Sequence, residues 1–295
     1  MKRLITILNL RTRQQIMMIS FLLLGSFYGL SQDYFNKFLP RGDNFEVFAV
    51  YSSVEVNDGY LFAADMWNEE GFRTAVLVKC DFYGDTVWTK RMSTHPNVTA
   101  AKLVFVINNE IFFLHSFAED IDSNRNFMLV KLTLGGEVIW SEQYGGLESE
   151  TPNWMSPTDD GGFILCGSSN SFNGTHRFYA VKVDENGQLE WQQTYGGNGL
   201  DVCNSIIQTS DGGYLMSGYS NSFSSDYDFL VIKTNAQGEV IWQKLLGIEG
   251  RHNTGGGVLE LSDGTYLCTT AYKNASNVTI ARVLKVDLEG NAIWQ

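Results

Sequence analysis

A chain of 295 residues with 33 acidic against 21 basic side chains, and a formal net charge of −12, offers no clustered cationic surface for a phosphate backbone, which argues against nucleic acid as a partner. Glycine is frequent (29), proline scarce (4) and 13% of the residues are aromatic, a mixture that suits many short strands joined by tight turns.

From the N-terminus, residues 1–31 read as an export signal. Lys2, Arg3, Arg11 and Arg13 form a basic region, Ile16 to Leu30 an apolar one, and Gly29-Leu30-Ser31 supplies small residues for cleavage before Gln32. About 15 apolar residues fall short of the ~20 needed to cross a bilayer, so no membrane span is expected after cleavage. The signal carries four basic residues and no acidic one, which leaves 17 basic against 33 acidic in the mature chain. Tyr34-Phe35-Asn36-Lys37-Phe38 then reads as a lone outer strand.

The rest of the chain repeats. Tryptophans at 88, 140, 191, 242 and 294 recur at intervals of 52, 51, 51 and 52 residues. A lysine precedes each Trp by nine residues (Lys79, Lys131, Lys182, Lys233, Lys285) and a glycine by four (Gly84, Gly136, Gly187, Gly238, Gly290). Repeats of this length mark solenoids, propellers or arrays, and five units follow: 44–91, 97–143, 150–194, 201–245 and 252–295, forming one domain over 32–295.

The fourth unit is the clearest. Val202 to Thr209 reads as strand a, Ser210-Asp211-Gly212-Gly213 as a turn, Tyr214 to Tyr219 as strand b, Asp228 to Thr234 as strand c, Asn235-Ala236-Gln237-Gly238 as a second turn and Glu239 to Leu245 as strand d. The recurring glycine fits the positive-φ position that closes such turns, and the Asp or Asn that opens them (Asp81, Asp184, Asn235, Asp287) can bond the backbone two residues on. Remaining calcium ligands are missing, so no metal is expected. A four-stranded antiparallel unit cannot bury both faces alone, and radial stacking resolves this: the expected fold is an all-β propeller of four-stranded blades, with five repeats present in an incomplete ring.

Trp88, Trp140, Trp191, Trp242 and Trp294 are expected to pack between blades, with an upper bound of roughly 4–6 kcal/mol each if fully buried. Lys79, Lys131, Lys182, Lys233 and Lys285 lie among apolar residues and need a counter-charge; the acid ten residues after a Trp, Glu150 or Asp201, is one possibility. Cys80, Cys166, Cys203 and Cys268 each fall in a strand-like run without C-x-x-C spacing, which suggests buried thiols rather than zinc ligands, while export would also permit disulfides.

The phrases W-Q-x-T-Y-G-G, S-I-I-Q-T-S-D-G-G-Y and D-F-L-V-I-K-T between Trp191 and Thr234 resemble the bacterial propeller repeats called the SBBP or delta-60 class, found in large cell-surface proteins of Gram-negative bacteria that use type IX secretion. The resemblance covers nearly all of 34–295. It implies a propeller on the outer cell surface or secreted, and carries no catalytic motif or cofactor.

Function must therefore lie in the variable loops. In a propeller the b–c and d–a loops gather at one end, where Trp67, His95, His176, Arg177, Arg251 and His252 do not repeat, as an evolved site or drift would leave them. Phe172 and Phe223 recur in matching S-N-S-F phrases and read as structural. No hydrolase, zinc-protease or phosphate-loop motif appears. Three readings stand: a non-catalytic interaction module for an extracellular protein or glycan, a glycan-binding lectin, and a carbohydrate-active enzyme with facing carboxylates. No cofactor is expected.

Overall fold

The computed structural model of the chain describes residues 45–68, 73–92, 99–119, 123–172, 175–224, 226–248 and 250–294. The export signal, the strand expected at Tyr34–Phe38, and His95 lie outside them. The described residues contain strands and turns and no helix.

Five four-stranded antiparallel meanders follow one another. Sheet one comprises Phe45–Val56, Gly59–Asn68, Arg73–Cys80 and Thr86–Arg91. Sheet two comprises Thr99–Ile107, Glu110–Phe117, Asn126–Thr133 and Val138–Tyr144; sheet three Glu150–Pro157, Phe163–Ser169, Arg177–Val183 and Leu189–Tyr195. Sheet four comprises Asp201–Gln208, Tyr214–Ser220, Asp228–Thr234 and Val240–Leu245, and sheet five Asn253–Glu260, Tyr266–Lys273, Thr279–Val286 and Ala292–Trp294. In sheet four every strand boundary falls within one residue of its expected place. This is a β-propeller.

Sheets three and four hide both faces against their neighbours, because their b strands are buried on both sides, as Phe163–Ser169 and Tyr214–Ser220 illustrate. Leu61, Ala63, Ala75 and Leu77 of sheet one bury against Ile111, Phe113, Val130 and Leu132 of sheet two. Between sheets three and four the core is Ile164, Cys166, Phe178 and Ala180 against Cys203, Ile206, Met216 and Leu230. The a strands of successive sheets pack on one another and so run nearest the axis; the d strands are outermost, with alternating exposure. Among the described residues, no strand of sheet five packs on sheet one in the way successive sheets do. All four cysteines are buried free thiols.

The repeated tryptophan does not fill its own sheet. It lies across the c–d turn of the next one: a Cβ at Gly136 would stand 3.4 Å from Trp88, at Gly187 2.7 Å from Trp140, at Gly238 3.1 Å from Trp191 and at Gly290 2.9 Å from Trp242. The indole N–H of Trp242 donates to the Leu288 carbonyl at 2.8 Å, and that of Trp88 to Leu134 at 3.3 Å. The recurring glycine thus answers two demands, a φ near +80° and room for an indole. These tryptophans are half-buried rather than enclosed, which halves their expected contribution to about 2–3 kcal/mol.

The lysines choose other partners than Glu150 and Asp201. Lys79 pairs with Asp58 at 2.8 Å, Lys131 with Glu110 at 2.7 Å, Lys182 with Asp160 at 2.7 Å, Lys233 with Asp211 at 2.8 Å and Lys285 with Asp263 at 2.8 Å. Topology explains the correction. Lysine ends strand c beside the a–b turn, whereas Glu150 and Asp201 begin strand a at the opposite end of the sheet. There they are buried and tie loops together: Glu150 accepts from Ser169 Oγ at 2.7 Å, from Ser171 Oγ, and from the Gly146 N–H at 3.1 Å. Asp201 accepts from Ser222 Oγ and from the Gly197 N–H, both at 2.8 Å.

Candidate functional site

The two ends of the blades differ in character. At the a–b and c–d end the same lysine–acid pairs and glycine turns recur in every sheet. At the b–c and d–a end the repeated parts are scaffolding: the Y-G-G phrase packs under S-N-S-F, with Gly146 against Ser171 and Phe172 and Gly197 against Ser222 and Phe223. Phe172 also meets Tyr179, ring centroids 5.7 Å apart. Non-repeating side chains gather in two places on this end.

The first is in sheet one. Asp65 sits in the apolar run Ala63-Ala64-Asp65-Met66 of strand b and is fully buried. A bare carboxylate there would be prohibitively costly, and it is matched: Arg73, its hairpin neighbour on strand c, donates Nε to Asp65 Oδ2 at 2.5 Å and pairs through Nη2, while the Ala101 N–H of sheet two donates to Oδ1 at 2.8 Å. Arg73 Nη2 also donates to the Tyr51 hydroxyl at 3.0 Å, and the guanidinium lies 5.9 Å from the Tyr51 ring centroid. Burial, with Asp65 beside it, pushes the Tyr51 phenol up. Lys102, at the bulge of the neighbouring a strand, has its ammonium pushed below its ordinary value by burial and then by Arg73; it reaches 3.5 Å from Asn153 Oδ1. Tyr51 and Trp67 remain 45% and 39% exposed.

The second is between sheets four and five. His252 Nδ1 is 3.4 Å from Asp226 Oδ1. The His252 ring meets Tyr227 edge-on at 4.9 Å, and Tyr227 meets Tyr219 at 5.5 Å. A shallow depression beside them is lined by His252, Thr254, Ala271, Tyr272, Lys273 and Thr279.

Of the residues singled out from sequence, Trp67 stands at the first cluster, on the register position opposite Arg73, and His252 in the second. His176 is exposed on the rim of sheet three, with its carbonyl accepting from the Asp201 N–H at 2.9 Å. Arg177 turns inward and donates Nη2 to the Gly196 carbonyl at 2.7 Å. Arg251 shapes the turn before strand a of sheet five, its carbonyl accepting from Asn253 Nδ2 at 2.6 Å. Sequence reading missed Tyr51, Asp65, Arg73 and Lys102. The signal was there: an acid flanked by small apolar residues inside a strand demands a cation nearby.

The lining can hold polar ligands through Arg73, Tyr51, Asp226 and His252, and apolar ones through Trp67 and the tyrosines. Asp65 has both oxygens taken, so it positions Arg73 rather than offering a free base. Among the described residues no group of three or more His, Cys, Asp or Glu is placed to hold a metal ion.

No protein-family model matches the chain, and no curated protein matches it. Solved structures do. An ulvan lyase of a polysaccharide lyase family aligns with a TM-score of 0.53 at 8% identity, covering 84% of this chain and 72% of that one. A putative exo-β-1,3-galactanase from Bifidobacterium bifidum aligns with 0.47 at 11%, covering 83% and 90%, and a thermostable family-43 glycoside hydrolase with 0.46 at 14%, covering 85% and 92%. The likeness is one of fold.

Proposed function

We propose that this chain is a non-catalytic recognition propeller that works outside the cell, binding an extracellular protein or glycan with its b–c and d–a end. The observation that carries the reading is the Tyr51–Asp65–Arg73 arrangement beside Trp67: the buried Asp65 carboxylate holds the part-exposed Arg73 guanidinium against the exposed Tyr51 ring, with the exposed Trp67 at the register position opposite Arg73, a fixed display of donor and apolar surface of the kind that dominates recognition. Export by the N-terminal signal and placement on the outer surface, as in the SBBP-type proteins it resembles, belong to the same proposal. Type IX secretion is the route that resemblance suggests.

A lectin-like role is the second reading, favoured by the exposed Trp67 and Tyr51 next to hydrogen-bond donors, since sugars offer both apolar faces and hydroxyls. A glycan array probed with the purified chain, beside its Trp67→Ala and Arg73→Ala variants, separates the two. Retention of a glycan family that both variants lose supports the lectin. Crosslinking to a surface protein through the same residues supports the broader role. Release of reducing ends from any arrayed polysaccharide overturns a non-catalytic function.

A further inference from the structure

The interface between sheets four and five is built from Ile207, Leu215, Phe229 and Val231 on one side and Val258, Tyr266, Cys268, Leu284 and Val286 on the other, with Trp242 lying over Gly290. One repeat later, the residues that correspond to the first side are Leu259, Leu267, Ala281, Val283 and Trp294. They form the outer face of sheet five, and this face is open: Val283 is 44% exposed where Val231 is wholly buried, and Trp294 is 49% exposed. The Lys285 side chain is 22% exposed against 3% for Lys233, although its pair with Asp263 is intact. The other end of the array differs. The outward side of sheet one, Ala64, Met66, Val76, Val78 and Cys80, is at most 4% exposed, so a second copy of the chain could not join by placing its sheet one on this sheet five.

We propose that the outer face of sheet five is a docking surface for one further four-stranded sheet of this same repeat. The face continues, residue for residue, an interface made four times in the structure, and that continuity specifies the occupant. It must bring apolar b and c strands to meet Leu267 and Val283. Its c–d turn must place a positive-φ glycine under Trp294, and the carbonyl two residues earlier must accept the indole N–H, as Leu134 and Leu288 do for Trp88 and Trp242. Terminal units of stacked repeat arrays carry a polar outer face, whereas Leu259, Leu267, Ala281 and Val283 make this one apolar.

The test appends a copy of residues 192–242 directly after Trp294, which preserves the Trp-to-Trp interval. Hydrogen exchange followed by mass spectrometry should show at least tenfold slower exchange over residues 279–294, with a single thermal transition several degrees higher. The same extension with its copied Gly238 replaced by Val should lose both effects. An extension that stays protease-sensitive while sheets one to five remain protected overturns the proposal. The unextended protein gives a second measurement: Val283→Lys should leave its melting point unchanged while Val231→Lys lowers it steeply, and equal damage from both would mean the face is already covered. A dimer of the unextended chain that Trp294→Glu dissolves would make a second copy the occupant and equally overturn it.

Discussion

The Lys233 ammonium lies 2.8 Å from the Asp211 carboxylate with its own side chain 3% exposed and that of Asp211 57% exposed. The pair is half in water. The lysine stem crosses the apolar face of strand c, the ammonium emerges under the a–b turn, and Asp211 also holds the turn by accepting from the Gly213 N–H at 2.9 Å and Thr209 Oγ1 at 2.6 Å. One carboxylate thus closes a hairpin and neutralises the neighbouring strand, and Asp160 of sheet three does the same with Thr158 Oγ1, the Gly162 N–H and Lys182.

The two partners should therefore be unequal on mutation. Asp211→Ala strands a buried ammonium and two turn donors and is expected to cost about 1–3 kcal/mol. Lys233→Met replaces the stem with one of similar shape, removes the desolvated charge, and should lie within about 1 kcal/mol of wild type. Urea denaturation of both checks this; equal losses would mean that the ion pair itself, rather than the burial of its cation, sets the cost.

Gly238 and Gly212 share a φ of +80° but not their surroundings. A Cβ at Gly212 meets nothing within 4 Å, whereas at Gly238 it would press on Trp191 at 3.1 Å and on the Tyr195 hydroxyl at 3.0 Å. Gly212→Ala should cost only left-handed strain, about 1 kcal/mol, while Gly238→Ala adds displacement of an indole and of the Tyr195 bond to the Gly238 carbonyl, for about 2–4 kcal/mol in all. Matched melting curves decide it. Identical shifts would refute the inter-sheet contact.

Position along the array should show in the tryptophans. Trp191→Ala is expected to cost about 2–3 kcal/mol, since the ring loses its cover over Gly238 and its edge contact with Tyr214 at 5.5 Å. Trp294→Ala, on the open face, should cost under about 1 kcal/mol. Chemical denaturation of the two single variants reads the difference, and a Trp294 variant as damaged as Trp191 would count against an uncovered fifth sheet.

Much of this architecture is legible in the spacing of three residue types, because a repeat writes its strand and turn geometry five times over. What the spacing hides is which copy answers which. Trp191 and Gly187 look like partners within a unit, yet the indole rests on Gly238 of the next. The acid 21 or 22 residues before each lysine is as regular as the lysine itself, but recognising it requires knowing that strand c returns past the a–b turn. The first loop-end cluster is hidden for the opposite reason: Tyr51, Asp65 and Arg73 occur once, on three strands, and only the burial of a carboxylate among alanines betrays them.

His115 gives the fold a predictable weakness to acid. It lies in strand b of sheet two, 2% exposed, with its ring 5.2 Å from that of Phe113 and Nδ1 2.9 Å from the Ser116 carbonyl, so the N–H sits on Nδ1 and donates there. Burial lowers its pKa to about 4, more than the Ser116 carbonyl raises it. In the unfolded chain the imidazole titrates near its ordinary ~6.5. A folded value below the unfolded one means that the unfolded state binds the extra proton: stability is full above pH ~6.5 and falls as pH drops toward 4, by an amount on the order of 3 kcal/mol. Asp263 acts later, since its bond to Lys285 holds it at about 2 and it loses its contribution only as pH falls below the ordinary carboxylate range. Urea midpoints measured from pH 7 to pH 4 should therefore slope downward in the wild type and flatten in His115→Phe, whatever that variant's stability at neutral pH. Parallel slopes in the two proteins would remove His115 as the source.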